Sequence, residues 1–207
     1  MSNVKSVVFA VALGLMGMAG AAAAAPMNLV TNGGFEGGTT GGYNGVTGRM
    51  DGAPNGWSFT PAASGSNAFV GLYAHSGFYG FQFEATGGLD DALSQVIATT
   101  PGTTYDISFF ATSLAFSGTN DLRVTFGTDT VFTKVFSGYN AYAEFTATGV
   151  ASGTSTALRF LGQNSTAVNA IDDVSVTAVA AVPEPASFVL FGAGLVGLTM
   201  VRRARRA

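Results

Sequence analysis

Alternation is the feature that most limits what this chain can fold into. In "TYDISFFA", Tyr105, Ile107 and Phe109 fall on one side of an extended segment, with Asp106 and Ser108 on the other. Successive side chains of a strand point to opposite faces, so such a run builds a sheet with one apolar side. "DLRVTF" sets Leu122, Val124 and Phe126 against Arg123 and Thr125, "TALRFLG" aligns Leu158 with Phe160, and "AIDDVSV" aligns Val174 with Val176. The breaks between these runs, "ATGGLDD", "TTPGTT", "FGTDT" and "TGVASGTS", carry the residues that favour turns. No stretch between the chain ends sustains a 3.6-residue period. The pattern predicts an all-β domain, an antiparallel β-sandwich or barrel. Its core is to be filled mainly by phenylalanine, since 14 of the 17 Phe, all six Tyr and Trp57 lie in this span.

The two chain ends read differently. Lys5, the apolar run Val7 to Met18 and the small-residue stretch "AGAAAAAP" have the order of a secretory signal peptide over residues 1–25. Cleavage is expected within Ala22 to Ala25. Residues 26–181 then form the domain, long enough for one hydrophobic core. From Met27 to Ala181 the only cations are Arg49, Arg123, Lys134 and Arg159, against eleven acids. A surface so acidic repels phosphate backbones and argues against nucleic acid as a partner. There is no cysteine, hence no disulfide framework and no thiol nucleophile.

The chain closes on "VPEPASFVLFGAGLVGLTMVRRARRA". Ala186 to Val201 is 16 residues without a charge, short beside the roughly 17–20 apolar residues of a spanning helix. Val182 and the stems of Arg202 and Arg203 extend its reach by snorkelling. The cluster Arg202, Arg203, Arg205 and Arg206 would hold that end in the cytoplasm and leave the domain outside. Pro183 and Pro185 stop a helix from running backward and keep the Pro-Glu-Pro segment extended. The triplet Pro183, Glu184 and Pro185, the membrane segment 186–201 and the arginine cluster 202–206 together resemble the PEP-CTERM sorting tail of exported Gram-negative bacterial proteins. The resemblance makes residues 182–207 a sorting tail with the triplet as processing motif. It implies an exosortase as processing partner, transient anchoring in the inner membrane, and a place at the cell surface or in a biofilm matrix. A plain carboxy-terminal anchor is the simpler alternative.

A second resemblance covers residues 28 to 178. "NLVTNGGFE", "APNGWSF", "HSGFYGFQF", "LSQVIATTPGTTYDISFF", "ALRF" and "AIDDVSV", in that order, resemble a galactose-binding-like jelly roll of the kind found in carbohydrate-binding modules. The resemblance implies a jelly-roll sandwich and says less of the ligand, because this fold serves binding, adhesive and structural roles alike. It implies a structural calcium between the first and last strands, whose matching positions here are Glu36 and Asp172. Asp172 has the parity of Val174 and Val176, so it is expected to face the apolar side. A carboxylate there needs a cation or several donors to offset desolvation. Calcium and a metal-free structural role are both open. Asp173, of opposite parity, is expected to be exposed.

The remaining polar residues offer little chemistry. His75 is the only histidine, so a zinc site of the usual kind is excluded. Ser76 beside it lacks a nucleophile elbow, and His75 is expected in a turn or at an edge. Asp90 and Asp91 read as a solvated turn rather than a glycosidase pair. Sugar recognition would draw on Tyr43, Tyr79, Tyr139 and Tyr142, with Asn44, Asn140 and Gln163 as hydrogen-bonding partners; each tyrosine has core packing as its alternative. Trp57 is expected in the core. The long segment "NGGFEGGTTGGYNGVTGRMDGAPNG", with ten glycines in 25 residues, reads as a flexible link or a ligand-binding lip. The sequence points to a non-catalytic exported protein that associates with exopolysaccharide; the alternative is a purely structural or adhesive matrix protein with no sugar site.

Overall fold

The computed structural model describes residues 26–44, 49–62, 68–165 and 168–180. The expected signal peptide and sorting tail lie outside the described residues. Among those described, no helix is long and apolar enough to cross a membrane.

Ten strands follow in order: β1 (Gly42–Asn44), β2 (Arg49–Asp51), β3 (Ser58–Thr60), β4 (Phe69–Gly71), β5 (Gly80–Phe83), β6 (Asp91–Ala98), β7 (Thr104–Phe126), β8 (Asp129–Val150), β9 (Ser155–Asn164) and β10 (Asn169–Ala178). All pairings are antiparallel. One ladder runs β1-β2-β4-β5-β10-β7-β9-β6-β3, with β8 beside β7. β7 and β8 are 23 and 22 residues long, and each serves both layers. The first half of β7 pairs with β10, and its second half, from Asn120, pairs with β9. The change of layer falls where the β7–β8 register slips between Leu114 and Thr119. Gly118 and Gly138 stand at this corner with φ of 81° and 67°, a conformation that costs any other L-residue steric strain. The ladder thus folds on itself into a sandwich. We call the layer of β1, β2, β4, β5 and β10 the front sheet, and that of β3, β6 and β9 the back sheet.

Aromatic rings fill the space between. Phe109, from the front, meets Phe132 and Phe160 at 5.2 and 5.1 Å, both near perpendicular. Tyr105 packs on Phe126 at 5.7 Å, and Phe81 on Phe59 at 5.9 Å. Such tilted and edge-on contacts suit the ring quadrupole. The alternation predicted this inventory: Ile107, Phe109, Leu122, Val124, Phe126, Leu158, Phe160, Val174 and Val176 are all buried, while Asp106 and Arg123 are exposed. Trp57 is buried as expected, its indole N–H donating to the Asn32 carbonyl at 3.1 Å.

One local expectation changes. The glycine-rich stretch before Trp57 is not a bare link: it contains the β1–β2 hairpin, which joins the front sheet through Met50 opposite Val70. The segment from Asn28 runs along β10, with the Leu29 N–H on the Val176 carbonyl at 2.8 Å. The Asn28 side chain accepts from the N–H of Val30 and Val176, both at 3.0 Å, so a side chain replaces part of the ladder. Gly33 lies so close to β10 that a Cβ there would sit 2.1 Å from the Val174 carbonyl oxygen. Only glycine fits.

Candidate functional site

The site forms where β10 loses its regular pleat. Asp172 is opposite Phe110, but the next paired residue is Ser175 opposite Ser108. Two residues of β10 therefore face one of β7, a β-bulge, with Asp173 at φ 49°. The bulge reverses parity. Asp172 shares the face of Phe110 on the outside of the front sheet and not that of Val174 in the core, which corrects the simple alternation reading. It is nevertheless fully buried, because the loop Leu72–Tyr79 between β4 and β5 covers it.

Two carboxylates hold that loop by its backbone and a third by its side chains. Asp172 Oδ2 accepts the N–H of His75 at 2.8 Å and of Ser76 at 3.0 Å, while Oδ1 accepts the Asp173 N–H at 2.7 Å. Desolvation raises the Asp172 carboxyl to about 6, opposed by the N–H groups of Ser76 and Asp173 and assisted by the charge of Asp173. Glu36 Oε1 accepts from the N–H of Phe78 and Tyr79, both at 2.7 Å. Gly77 at φ 65° brings the loop this close, since a Cβ there would lie 2.5 Å from the same oxygen. Asp173 takes the remaining polar groups: His75 Nδ1 at 2.7 Å and the Ser76 hydroxyl at 2.8 Å. It is therefore half-buried and paired, not simply exposed.

The His75 ring stacks on Phe110, 3.5 Å between centroids and 10° between planes, with Tyr142 edge-on at 5.7 Å. Tyr142 donates its hydroxyl to the Tyr73 carbonyl at 2.9 Å. Burial, together with the charges of Asp172 and Asp173, pushes its phenol far above the ordinary range, so it remains a neutral donor. The outcome is a loop with a fixed backbone and an apolar rim. Leu72, Tyr73 and Phe78 are 71%, 60% and 72% exposed.

Of the tyrosines expected to bind a ligand, Tyr79 and Tyr142 lie at this loop and Tyr139 lies apart from it. Tyr142 supports the loop from beneath, and Tyr79 packs partly against the core. Tyr139 is exposed at the β8 corner, opposite Leu114. The side chains of Tyr43 and Asn44 lie outside the described residues. Asn140 caps the corner, donating to the Ser137 and Gly138 carbonyls. Tyr73 and Phe78 are the residues that the alternation reading missed. Their signal was the crowding of rings into the turn-rich "LYAHSGFYG".

Catalytic arrangements find no support in the geometry of these residues. Ser76 and His75 both bond Asp173, whereas a triad needs serine on histidine. Asp91 is buried rather than solvated, accepting from the N–H of Ala62 at 3.0 Å and Glu84 at 3.2 Å. Asp90 instead bridges Arg123. Glu36 and Asp172 do meet at one loop, each through backbone amides. Among the described residues, no group of three or more His, Asp or Glu side chains is placed to hold a metal. Calcium here would need backbone carbonyls or water for most of its six to eight oxygens.

Comparison with known proteins bears on both parts of the chain. Residues 181–206 match the family model of the PEP-CTERM protein-sorting motif, which indicates an exported, exosortase-processed protein. The domain has the fold of carbohydrate-binding module jelly rolls. It is similar to the CBM22-1 xylan-binding domain of Paenibacillus barcinonensis Xyn10C, with a TM-score of 0.53 and 20% identity over 78% of this chain and 100% of that one. It is also similar to the K3 cleaved adhesin domain of Lys-gingipain from Porphyromonas gingivalis, with a TM-score of 0.50 and 12% identity over 60% and 92% of the two chains. A third likeness is to the enzymatically active domain of tailspike protein 4 of bacteriophage CBA120, with a TM-score of 0.51 and 14% identity, covering 73% of this chain but 21% of that one. No curated protein matches the chain.

Proposed function

We propose that this is a non-catalytic surface or matrix protein of a Gram-negative bacterium, whose sandwich binds exopolysaccharide at the rim of the Leu72–Tyr79 loop. The observation that carries this reading is the pairing of exposed rings, Tyr73 and Phe78, with a backbone pinned by the buried Asp172 and the exposed Glu36 carboxylates. A sugar ring presents a C–H face that lies well on an aromatic ring, and polar groups at the ring edge can meet its hydroxyls. A loop already held in one conformation loses little entropy on binding. The jelly-roll likeness to a xylan-binding domain supports the same reading.

Affinity electrophoresis of the detergent-solubilised full-length protein in neutral polysaccharide gels tests it. The wild type should be retarded, and the Tyr73→Ala, Phe78→Ala double variant should lose at least about tenfold in affinity, the scale of one to two stacking contacts. Equal mobility of the two proteins in every gel would remove the sugar site. It would favour the alternative of an adhesive role, to which the likeness to an adhesin domain also points.

Calcium across Glu36 and Asp172 is a further part of the proposal, with carbonyls of the Asn32–Gly38 segment completing the set. Chelator should then lower the thermal midpoint by several degrees, and added calcium should restore it. An unchanged midpoint would leave the N–H groups as the sole partners of these carboxylates.

A further inference from the structure

The outer surface of the back sheet carries a groove of about 380 Å³, lined by Asp90, Asp121, Arg123, Lys134, Val135 and Gln163 among others. Strand register explains how these residues meet. Asp121 is opposite both Gln163 and Val135, and Arg123 is opposite Leu161 and Thr133, so all share one face. Thr125 lies on that face two residues beyond Arg123, and it pairs with Arg159. Lys134, opposite the buried Leu122, turns to the other face with its ammonium 5.9 Å from the Phe136 ring, so Arg123 and Arg159 are the two cations on this surface of an otherwise acidic domain. Asp90 and Asp121 are the acids among them.

Each lining group has a counterpart on a carboxylated sugar. Arg123 offers the planar fork that binds a carboxylate through two parallel hydrogen bonds. Gln163 and Thr133 can donate to or accept from hydroxyls, and Asp121 can accept from them. Val135, 60% exposed, and Leu161 give an apolar floor for C–H groups. Asp121 needs a hydroxyl donor, which a sugar has and a bare phosphodiester lacks. In the free protein Arg123 is held by Asp90, with the two side chains 46% and 31% exposed. An exposed pair of this kind contributes little to stability, so an incoming carboxylate can replace Asp90.

We propose that this groove is a second binding site, specific for uronic-acid-containing polysaccharide, in which a sugar carboxylate displaces Asp90 from Arg123. It lies on the opposite sheet from the Leu72–Tyr79 loop and does not depend on that site.

Polygalacturonate as the charged probe and galactan as its uncharged counterpart test this with the full-length protein in mild detergent. The wild type should bind polygalacturonate and lose that binding by tenfold or more as salt rises from about 0.05 to about 0.5 M, since the exposed charges become screened. Arg123→Gln should weaken it at least about tenfold, and Arg123→Lys should restore part of the loss, as charge without the bidentate fork. Asp90→Asn should strengthen it about threefold or more, because it frees Arg123 and removes a like charge. A purely structural bridge would not give that gain. Unchanged or weaker binding by Asp90→Asn, with an unaltered thermal midpoint, would overturn the proposal; so would galactan bound through Arg123 as tightly as polygalacturonate. The Tyr73→Ala, Phe78→Ala variant should bind polygalacturonate normally. If that variant alone loses the binding, the groove is refuted while the loop site stands.

Discussion

Asp172→Ala is expected to destabilise the domain by about 3–5 kcal/mol, among the largest effects available to one polar substitution. The side chain is fully buried, and its two oxygens take three backbone N–H groups, those of His75, Ser76 and Asp173. Its charge is costly to bury, as its raised carboxyl shows, and those three donors offset that cost. Alanine removes the charge but leaves the donors buried without an acceptor, at roughly 1–3 kcal/mol each before relaxation. Urea denaturation with the wild-type m-value assumed unchanged gives the difference directly. Asp172→Asn should lie between, because its amide oxygen can still accept while its NH₂ group meets a donor. The loop should also open: protease cleavage within residues 72–79 is expected in Asp172→Ala well below its unfolding midpoint. A loss below about 1 kcal/mol, or a loop as resistant as in the wild type, would show that the carboxylate does not hold it.

Phe109→Ala should cost a similar 3–5 kcal/mol, for an apolar reason. Phe109 is wholly buried, beside its cross-strand partner Phe145 at 5.9 Å and against Phe132 and Phe160 at 5.2 and 5.1 Å across the core. Removing it leaves a cavity that three large neighbours, two on β8 and one on β9, cannot collapse to fill. Phe109→Leu should cost only about 1–2 kcal/mol, as most of the volume remains. The adjacent Phe110 is the internal control. It points outward and stacks on His75, so Phe110→Ala should unsettle the loop and cost less than Phe109→Ala. Equal losses at both positions would contradict the assignment of faces along β7.

The contrast between Phe109 and Phe110 shows how much of this molecule the sequence makes legible. Period-two alternation identified the inward rows of β7, β9 and β10, because burial of one face acts residue by residue along a strand. The same rule misplaced Asp172, since a bulge inserts one residue and inverts the parity after it. Nothing in "AIDDVSV" by itself distinguishes a bulged from an unbulged strand. Asp91 was misread for a related reason. Two adjacent acids beside glycines look solvated until the chain brings the Ala62 and Glu84 amides against one of them.

The sites divide along the same line. The sorting tail is readable in full because its signal is contiguous: a triplet, an apolar run and arginines, in order. The loop site is not contiguous. His75 and Asp172 are 97 residues apart, and Glu36 and Phe78 are 42 apart. The groove on the back sheet depends on the register of β7, β8 and β9. By itself, then, the sequence determined an all-β sandwich with a PEP-CTERM motif, since both follow from local pattern. The tertiary structure alone decided that Asp172 turns outward, that Tyr73 and Phe78 form the exposed rim, and that Arg123 faces Asp90. Those facts depend on long-range pairing, and one added residue in a strand reverses every side chain beyond it.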